Sequence, residues 1–205
     1  MCLTLPKETT MNPKTKRWLF APLTAIVIAN TAAAQVPVNN EAHHKVVLEN
    51  AYVRVLEGHI AAHDTTPPHI HAANSVVIFL SASTFGIAVA GQQPVITDVK
   101  PGDTKYVDYG DKPVTHIVWN QSENMFHFLV VELKHPQEKP IESKYIDLTP
   151  GGDYHLSKSR HARFLVAITG NPHALRPDGF LFIPPQSELT LDGADSSRCL
   201  LLELD

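Results

Sequence analysis

Residues 114–120 read VTHIVWN, and this stretch decides the fold. In an extended strand alternate side chains share a face, so His116, Val118 and Asn120 would all point to one side. β-Branched and aromatic residues dominate the stretch, which is typical of a half-buried strand. The pattern therefore predicts a strand that carries a histidine and an amide on the same face.

The strand pattern recurs along most of the chain. Runs rich in β-branched and aromatic residues alternate with clusters of Gly, Pro, Asn and Asp, and no segment keeps a 3.6-residue period. The 16 prolines against 10 glycines agree with many turns between short elements. We therefore predict an all-β sandwich or barrel, with strands at Tyr52 to His59, Ser75 to Leu80, Phe85 to Ala90, Val95 to Val99, Val114 to Asn120 and Met125 to Leu133.

A second histidine pattern precedes the strand at 114–120. His69 and His71 are two residues apart, so in a strand both imidazoles would lie on one face and could bind one ion. Together with His116 they form a set of three neutral imidazoles that leaves open positions on a divalent ion. Fe, Mn, Zn, Cu and Ni all suit this donor set, and the sequence does not choose among them. We predict a divalent metal site at these three histidines.

The two histidine patterns together resemble the motifs of the cupin superfamily. Its first motif is G-x5-H-x-H-x3,4-E-x6-G and its second is G-x5-P-x-G-x2-H-x3-N. This chain keeps the three histidines and Asn120, and Gly102 and Gly110 fall at glycine positions of the second motif. The resemblance covers residues 41–133 well. It implies an antiparallel β-barrel of the jelly-roll type with the three histidines in its mouth, and often a homodimer.

The chain departs from the first cupin motif at the metal-binding carboxylate, where Ser75 or, with the longer spacing, Val76 stands in place of Glu. With that Glu the site would hold an ion at net +1, whereas three imidazoles leave it at +2 and favour an anionic or chelating ligand. The change also removes a carboxylate that could act as a base, so no catalytic residue is predicted. Further ligands or supporting groups could come from His63, Asp64, Ser75, Asn120 or His127. For His127 the alternative is a satisfied interior histidine, and His43 and His44 are predicted to be solvated.

The sequence beyond Leu133 resembles what came before. Residues 76–81 parallel residues 164–169 at an offset of 88, and residues 130–133 parallel residues 201–204 at an offset of 71. The alternative is that any two antiparallel β segments look alike. We predict a bicupin with a degenerate second unit that has no metal ligands and packs on the first. Its boundaries are a barrel at 35–134, a linker at 135–140 and a shorter second unit at 141–205.

Residues 1–34 have the pattern of a secretory signal peptide. Basic residues at 14–17 precede a largely apolar stretch at 18–29, and Ala32 to Ala34 provide a small-residue cleavage site. We predict cleavage after Ala34 and a periplasmic or secreted protein. An uncleaved N-terminal anchor is the alternative, and Met11 is a second candidate start.

The mature chain predicted in this way is acidic. Residues 1–34 carry four of the 17 basic and one of the 21 acidic residues, so 13 basic and 20 acidic residues remain, a net charge of −7. This balance argues against nucleic acid and against an anionic membrane surface as partners. Cys199 is the only cysteine left, in an apolar run that indicates a buried, inert thiol.

Two functional classes fit these observations. The first is an exported metal-dependent enzyme, an oxygenase or isomerase, acting on a small chelating or anionic substrate. The second is a non-catalytic barrel that binds a metal or a small ligand for storage, sensing or scavenging. The sequence contains no G-x-S-x-G, P-loop, G-x-G-x-x-G or H-E-x-x-H pattern, which argues against serine hydrolases, nucleotide binding and the zincin proteases.

Overall fold

The computed structural model describes residues 36–137, 141–170, 172, 175, 179–193 and 195–204. The predicted signal peptide at 1–34 and the last part of the predicted linker lie outside the described residues. The described chain forms 16 β-strands and one short 3-10 helix, Val38–Asn40, which confirms the all-β prediction. No helix among these residues has the length and apolar content needed to cross a membrane.

The first ten strands form two five-stranded sheets, which we call the front sheet and the central sheet. In spatial order the front sheet contains β1 (Val36–Pro37), β4 (His69–His71), β9 (Val114–Asn120), β6 (Ser83–Val89) and β7 (Val95–Val99). The central sheet contains β2 (His44–Glu49), β3 (Val53–Ile60), β10 (Phe126–Leu133), β5 (Ser75–Phe79) and β8 (Thr104–Val107). Every neighbouring pair is antiparallel except β1 and β4.

The remaining strands form a smaller unit. A four-stranded back sheet has the order β11 (Ser143–Leu148), β16 (Ser197–Leu204), β13 (Ala162–Thr169) and β14 (Phe180–Ile183). A separate antiparallel pair consists of β12 (Asp153–Leu156) and β15 (Leu189–Asp192).

The topology of the second unit reproduces that of the first. The central-sheet order β3-β10-β5-β8 corresponds to the back-sheet order β11-β16-β13-β14, and the pair β4 and β9 corresponds to β12 and β15. These correspondences follow chain order, and the strands that lack a counterpart among the described residues are β1, β2 and the hairpin of β6 and β7. The topology therefore supports a shorter second unit of the same architecture.

The middle strands of the central sheet are covered on both faces over much of their length. One face, with Leu56, Phe128 and Val130, packs toward the front sheet. The other face packs against the back sheet through a core cluster that joins the two units, namely Val53, Val55, Val76, Ile78, Leu80, Leu129, Val131, Leu133, Ala162, Phe164, Val166, Ile168, Leu200, Leu202 and Leu204. Burial on both faces explains why β10, β13 and β16 read as nearly continuous apolar runs instead of alternating patterns.

A hydrogen bond joins the units at a glycine of the second motif. Gly102 has a φ of +90°, a conformation that glycine adopts without the steric cost of a side chain. Its carbonyl accepts a hydrogen bond of 2.9 Å from the Tyr145 hydroxyl on β11.

On the far side of the back sheet Cys199 is buried, and burial raises the pKa of its thiol to about 11, as expected of an inert cysteine.

The core between the units predicts the effect of one truncation. Phe164 is fully buried there and stacks on Phe180 with 5.1 Å between ring centroids. We expect Phe164→Ala to lower the free energy of unfolding by about 3–5 kcal/mol, because it leaves a cavity between two sheets. Urea unfolding followed by tryptophan fluorescence measures this change. The matched control is Ile96→Ala, at an exposed position of β7, which should change stability by less than about 0.5 kcal/mol. Equal effects of the two substitutions would contradict the assigned core.

Candidate metal centre

Antiparallel pairing of β4 with β9 places two of the predicted histidines face to face. His69 is directly opposite His116 in the register, and both side chains are buried. Their Nε2 atoms lie 3.0 Å apart. The Nδ1 of His69 donates a hydrogen bond of 2.9 Å to the carbonyl of Pro67, so its Nε2 carries a free lone pair.

His71 joins this pair from the same strand as His69, as the two-residue spacing predicts. Its ring centroid lies 5.2 Å from that of His69 and 4.9 Å from that of His116. Nδ1 of His71 and Nδ1 of His116 are buried and have no hydrogen-bond partner among the described residues. A buried polar atom without a partner costs about 1–3 kcal/mol, and an ion or a water molecule can supply the missing partner. On His116 this atom is not the Nε2 that faces His69, so it does not mark a position between those two rings.

A fourth imidazole lies in the same cluster and was not predicted. His44, at the start of β2, is buried, so the expectation that it is solvated is wrong. Its ring centroid is 5.0 Å from that of His69 and 5.9 Å from that of His71. One ring nitrogen from each of His44, His69 and His71 lies within 4.8 Å of the other two. We call His44, His69, His71 and His116 the histidine cluster.

A buried carboxylate orients this fourth imidazole. Glu41 is 2% exposed, and its Oε2 accepts a hydrogen bond of 2.6 Å from Nδ1 of His44. Its Oε1 accepts one of 2.7 Å from Nδ1 of His43, whose Nε2 lies 3.1 Å from Oδ2 of the exposed Asp64. A carboxylate behind a histidine fixes the tautomer and aims the other ring nitrogen at a metal. Nε2 of His44 is thereby left free for an ion.

The protonation states around Glu41 follow from these contacts. Burial alone would raise the pKa of Glu41, but hydrogen bonds from His44 and His43 outweigh it and lower the pKa to about 2. Burial would lower the pKa of His43, but its bonds to Glu41 and Asp64 raise it instead. The carboxylate is therefore ionised at neutral pH and adds one negative charge next to the cluster.

The imidazoles of His71 and His116 are neutral at neutral pH. Burial, together with the neighbouring His116 and His69, lowers the pKa of His71 to about 2. Burial, with His69 beside it, lowers the pKa of His116 to about 3. A neutral imidazole is the form that binds a metal ion.

The distance between His69 and His116 fits two ligands of one divalent ion. Two imidazole nitrogens bound to one ion at about 2.0–2.1 Å lie roughly 2.9–3.4 Å apart for bond angles between 90° and 109°. The distance of 3.0 Å between Nε2 of His69 and Nε2 of His116 falls in this range. Two lone pairs facing each other at this distance repel unless a proton or a cation lies between them. A set of imidazole donors suits Zn, Cu, Fe and Ni, and Glu41 brings the combined charge of ion and protein to +1.

The structure places the candidate supporting residues outside the cluster. His63 is in an exposed loop beside Glu123, with its side chain 59% exposed. Ser75 is buried and donates to the carbonyl of Ala73. The Asp64 carboxylate reaches the cluster only through His43.

Asn120 and His127 also have other partners. The side-chain nitrogen of Asn120 donates to the carbonyls of Ile60, Ala61 and Asn124, so this residue holds the end of β9 to two neighbouring segments. His127 lies on the outer face of the central sheet, where it pairs with Glu57. Neither is assigned as a ligand of the cluster.

A largely apolar cavity of about 550 Å³ opens next to the histidine cluster. His44, His71 and His116 line one end of it. Aromatic and aliphatic side chains from both sheets form most of its wall, among them Val77, Phe79, Phe85, Ile87, Val118, Phe126, Phe128 and Val130. Gln92, Lys105 and Tyr109 provide polar groups in its lining. Volume and lining are those of a site for a small organic molecule.

The sequence carried only a weak signal for the fourth histidine. In β2, which reads HKVVLE, every second residue from His44 would lie on one face of a regular strand, together with Val46 and Leu48. Val46 is 37% exposed, however, so these residues do not form one buried face. The inward position of His44 depends on its register opposite Gly58 of β3. A Cβ at residue 58 would lie 2.3 Å from the ring of Phe128, which packs beside His44. Only the pairing of the strands reveals this arrangement.

Comparisons with known proteins identify the fold. No protein-family model matches the chain, and no curated protein matches it. A bacterial pirin from Escherichia coli, solved in complex with nickel(II), is 13% identical over 82% of this chain and 97% of its own, with a TM-score of 0.58. A salicylate 1,2-dioxygenase from Pseudaminobacter salicylatoxidans is 10% identical over 79% of this chain and 76% of its own, with a TM-score of 0.56. A cupin domain from Bordetella pertussis is 23% identical over 49% of this chain and 98% of its own, with a TM-score of 0.41.

The two longer matches extend over most of the chain, which includes both β units. They agree with the two facing antiparallel sheets of the first unit. The chain has the cupin fold.

Proposed function

We propose that this chain binds one divalent metal ion at the histidine cluster and acts there on a small, anionic, chelating substrate with an apolar body. One observation carries the proposal: the buried imidazoles of His69, His71 and His116 lie in contact with one another, and two of them, His71 and His116, line one end of an apolar cavity. When bound, the ion would supply Lewis acidity and, for a redox-active metal, chemistry with O2. Oxygenase or isomerase chemistry is the activity that we propose.

Each residue of the cluster has a distinct part in this proposal. His69, His71 and His116 hold the ion, and His44 is the fourth ligand in place of the Glu that Ser75 replaces. The carbonyl of Pro67 orients His69, and Glu41 orients His44 through hydrogen bonds to their Nδ1 atoms. These contacts keep the metal-binding nitrogens in place before the ion arrives, which lowers the cost of ordering them on binding.

The cavity determines which substrates fit. Its apolar wall excludes water from the body of a ligand, and an aromatic or aliphatic group would gain about 25 cal/mol per Å² of surface buried there. Lys105 lines the cavity, and its positive charge is felt at His116. A positive ion and a lysine together favour an anionic substrate group directed toward the cluster.

A non-catalytic role is the second candidate, and one observation favours it. Asp103 is the only carboxylate in the lining of the cavity among the described residues. Its Oδ2 accepts a hydrogen bond from the backbone of Lys100, and Glu41 is engaged with two histidines. No free carboxylate base therefore lies beside the cluster, and the same site would serve to store, sense or scavenge a metal or a small ligand.

The location and the assembly of the protein also remain proposals. The signal-peptide pattern at 1–34 supports export to the periplasm or the cell exterior. The cupin resemblance supports a homodimer. Neither nucleic acid nor a membrane surface is proposed as a partner.

Metal analysis tests the site directly. We expect the variant with His69→Ala, His71→Ala and His116→Ala to hold one divalent ion less per chain than the wild type, both purified without chelator. Inductively coupled plasma mass spectrometry measures the content. His155→Ala, at an exposed position of β12, is the control and should keep the wild-type content. Equal metal content in the triple variant and the wild type would refute the site.

Glu41 provides a second prediction. We expect Glu41→Gln to weaken metal binding about 10–100-fold, because the carboxylate that orients His44 and balances the ion loses its charge. Competition with a chromogenic chelator gives the dissociation constants. Glu49→Gln removes a charge from an exposed position at the end of β2 and should leave the affinity unchanged. If both variants bind as tightly as the wild type, Glu41 does not support the metal.

Oxygen uptake separates the two candidate functions. We expect metal-loaded protein to consume O2 with at least one member of a panel of thiols, diketones, flavonoids and hydroxy acids. The triple histidine variant should show no uptake with the same compound. Binding of a panel member without turnover, seen by calorimetry, would instead support the non-catalytic role.

A further inference from the structure

A second group of metal-binding side chains lies on the outer face of the central sheet. His59 of β3 and His127 of β10 are directly opposite each other in the antiparallel register, and their rings stack with centroids 4.2 Å apart. Glu57, two residues before His59, points to the same face, and its Oε1 lies 3.1 Å from Nε2 of His127. One ligand atom from each of the three residues lies within 4.8 Å of the other two.

This group is separate from the histidine cluster. Phe126 and Phe128 flank His127 along β10 and direct their rings into the cavity, so His127 points to the opposite face. On that outer face the back sheet covers β3 at Val53 and Val55 but not at the exposed His59. The group therefore lies where the core between the two units ends and solvent begins.

We propose that Glu57, His59 and His127 form a second divalent-metal site, open to solvent, with Zn²⁺ as the ion that suits it best. Two imidazoles and one carboxylate are an established donor set for zinc and leave a fourth position for water. The register of β3 and β10 fixes the three backbone positions, and the exposed ring of His59 is free to turn its nitrogen toward an ion.

The surroundings of this site set its affinity. Lys45 of β2 lies directly opposite Glu57 in the register and shares its face, so its charge opposes a bound cation. Glu57 compensates for that charge with its own carboxylate. An ion here would connect β3 and β10 at the edge of the core and would stabilise the folded chain in proportion to its occupancy.

Zinc titration of the full chain tests the proposal in a background without the inner site. The background carries His69→Ala, His71→Ala and His116→Ala and should bind one Zn²⁺ per chain by calorimetry. Adding His59→Ala or His127→Ala should weaken this binding more than about tenfold, and adding Lys45→Gln should strengthen it. His155→Ala in the same background is the matched control for adventitious binding by surface histidines and should have no effect.

Thermal unfolding provides a second measurement. Excess Zn²⁺ should raise the melting temperature of the background variant, and His59→Ala should abolish that rise. If the background variant does not fold, the comparison is made in the wild type, where two equivalents should fall to one in His59→Ala. If replacing His59 or His127 changes neither the zinc affinity nor the melting temperature, the outer site is refuted. This outcome does not depend on the result at the histidine cluster.

Discussion

Burial of β10 on both faces is the constraint on which the rest of the structure depends. Phe126, Phe128 and Val130 face the front sheet, while Leu129, Val131 and Leu133 face the back sheet. On its two edges the strand pairs with β3 and β5, so its backbone hydrogen bonds are satisfied within the central sheet. One strand thus belongs to the wall of the cavity and to the core that joins the two units. A change in its register by one residue would exchange its two faces and disrupt both.

At the proposed metal site the negative charge stands behind a ligand and not at the ion. Ser75 occupies the position of the carboxylate in the cupin motif, and the buried carboxylate of this region is Glu41, which is hydrogen-bonded to His44. As a result the proposed ion would contact only neutral nitrogens, while the electrostatic balance of the region is retained. This arrangement separates the charge of the site from its direct coordination. A substrate anion would then meet no competing carboxylate at the ion itself.

Local sequence patterns predict much of the fold, but they predict only some of the residues in the histidine cluster. The strand at Val114–Asn120 and the shared face of His69 and His71 depend on the two-residue period of a strand, which a sequence displays directly. The repeat of apolar runs around Val76 and Phe164 reflects burial on both faces and was equally visible. His44 and Glu41 were missed because their positions depend on the register of β2 against β3, with its irregularity between Val46 and Leu48. Such long-range pairing leaves no periodic trace in the sequence.

The first unit contains the hairpin of β6 and β7 and the described part of the second unit does not, so the two interiors differ in the substitutions that they accept. In the first unit the hairpin widens the front sheet, and the space between sheets is in part hollow. In the second unit the corresponding interior is filled by side chains such as Leu156, Leu165 and Leu191. Replacements there must conserve volume, as in any packed core. The cavity of the first unit leaves space for larger side chains in its wall, so substitutions there would change the volume open to the proposed ligand with less strain on packing than in the filled unit.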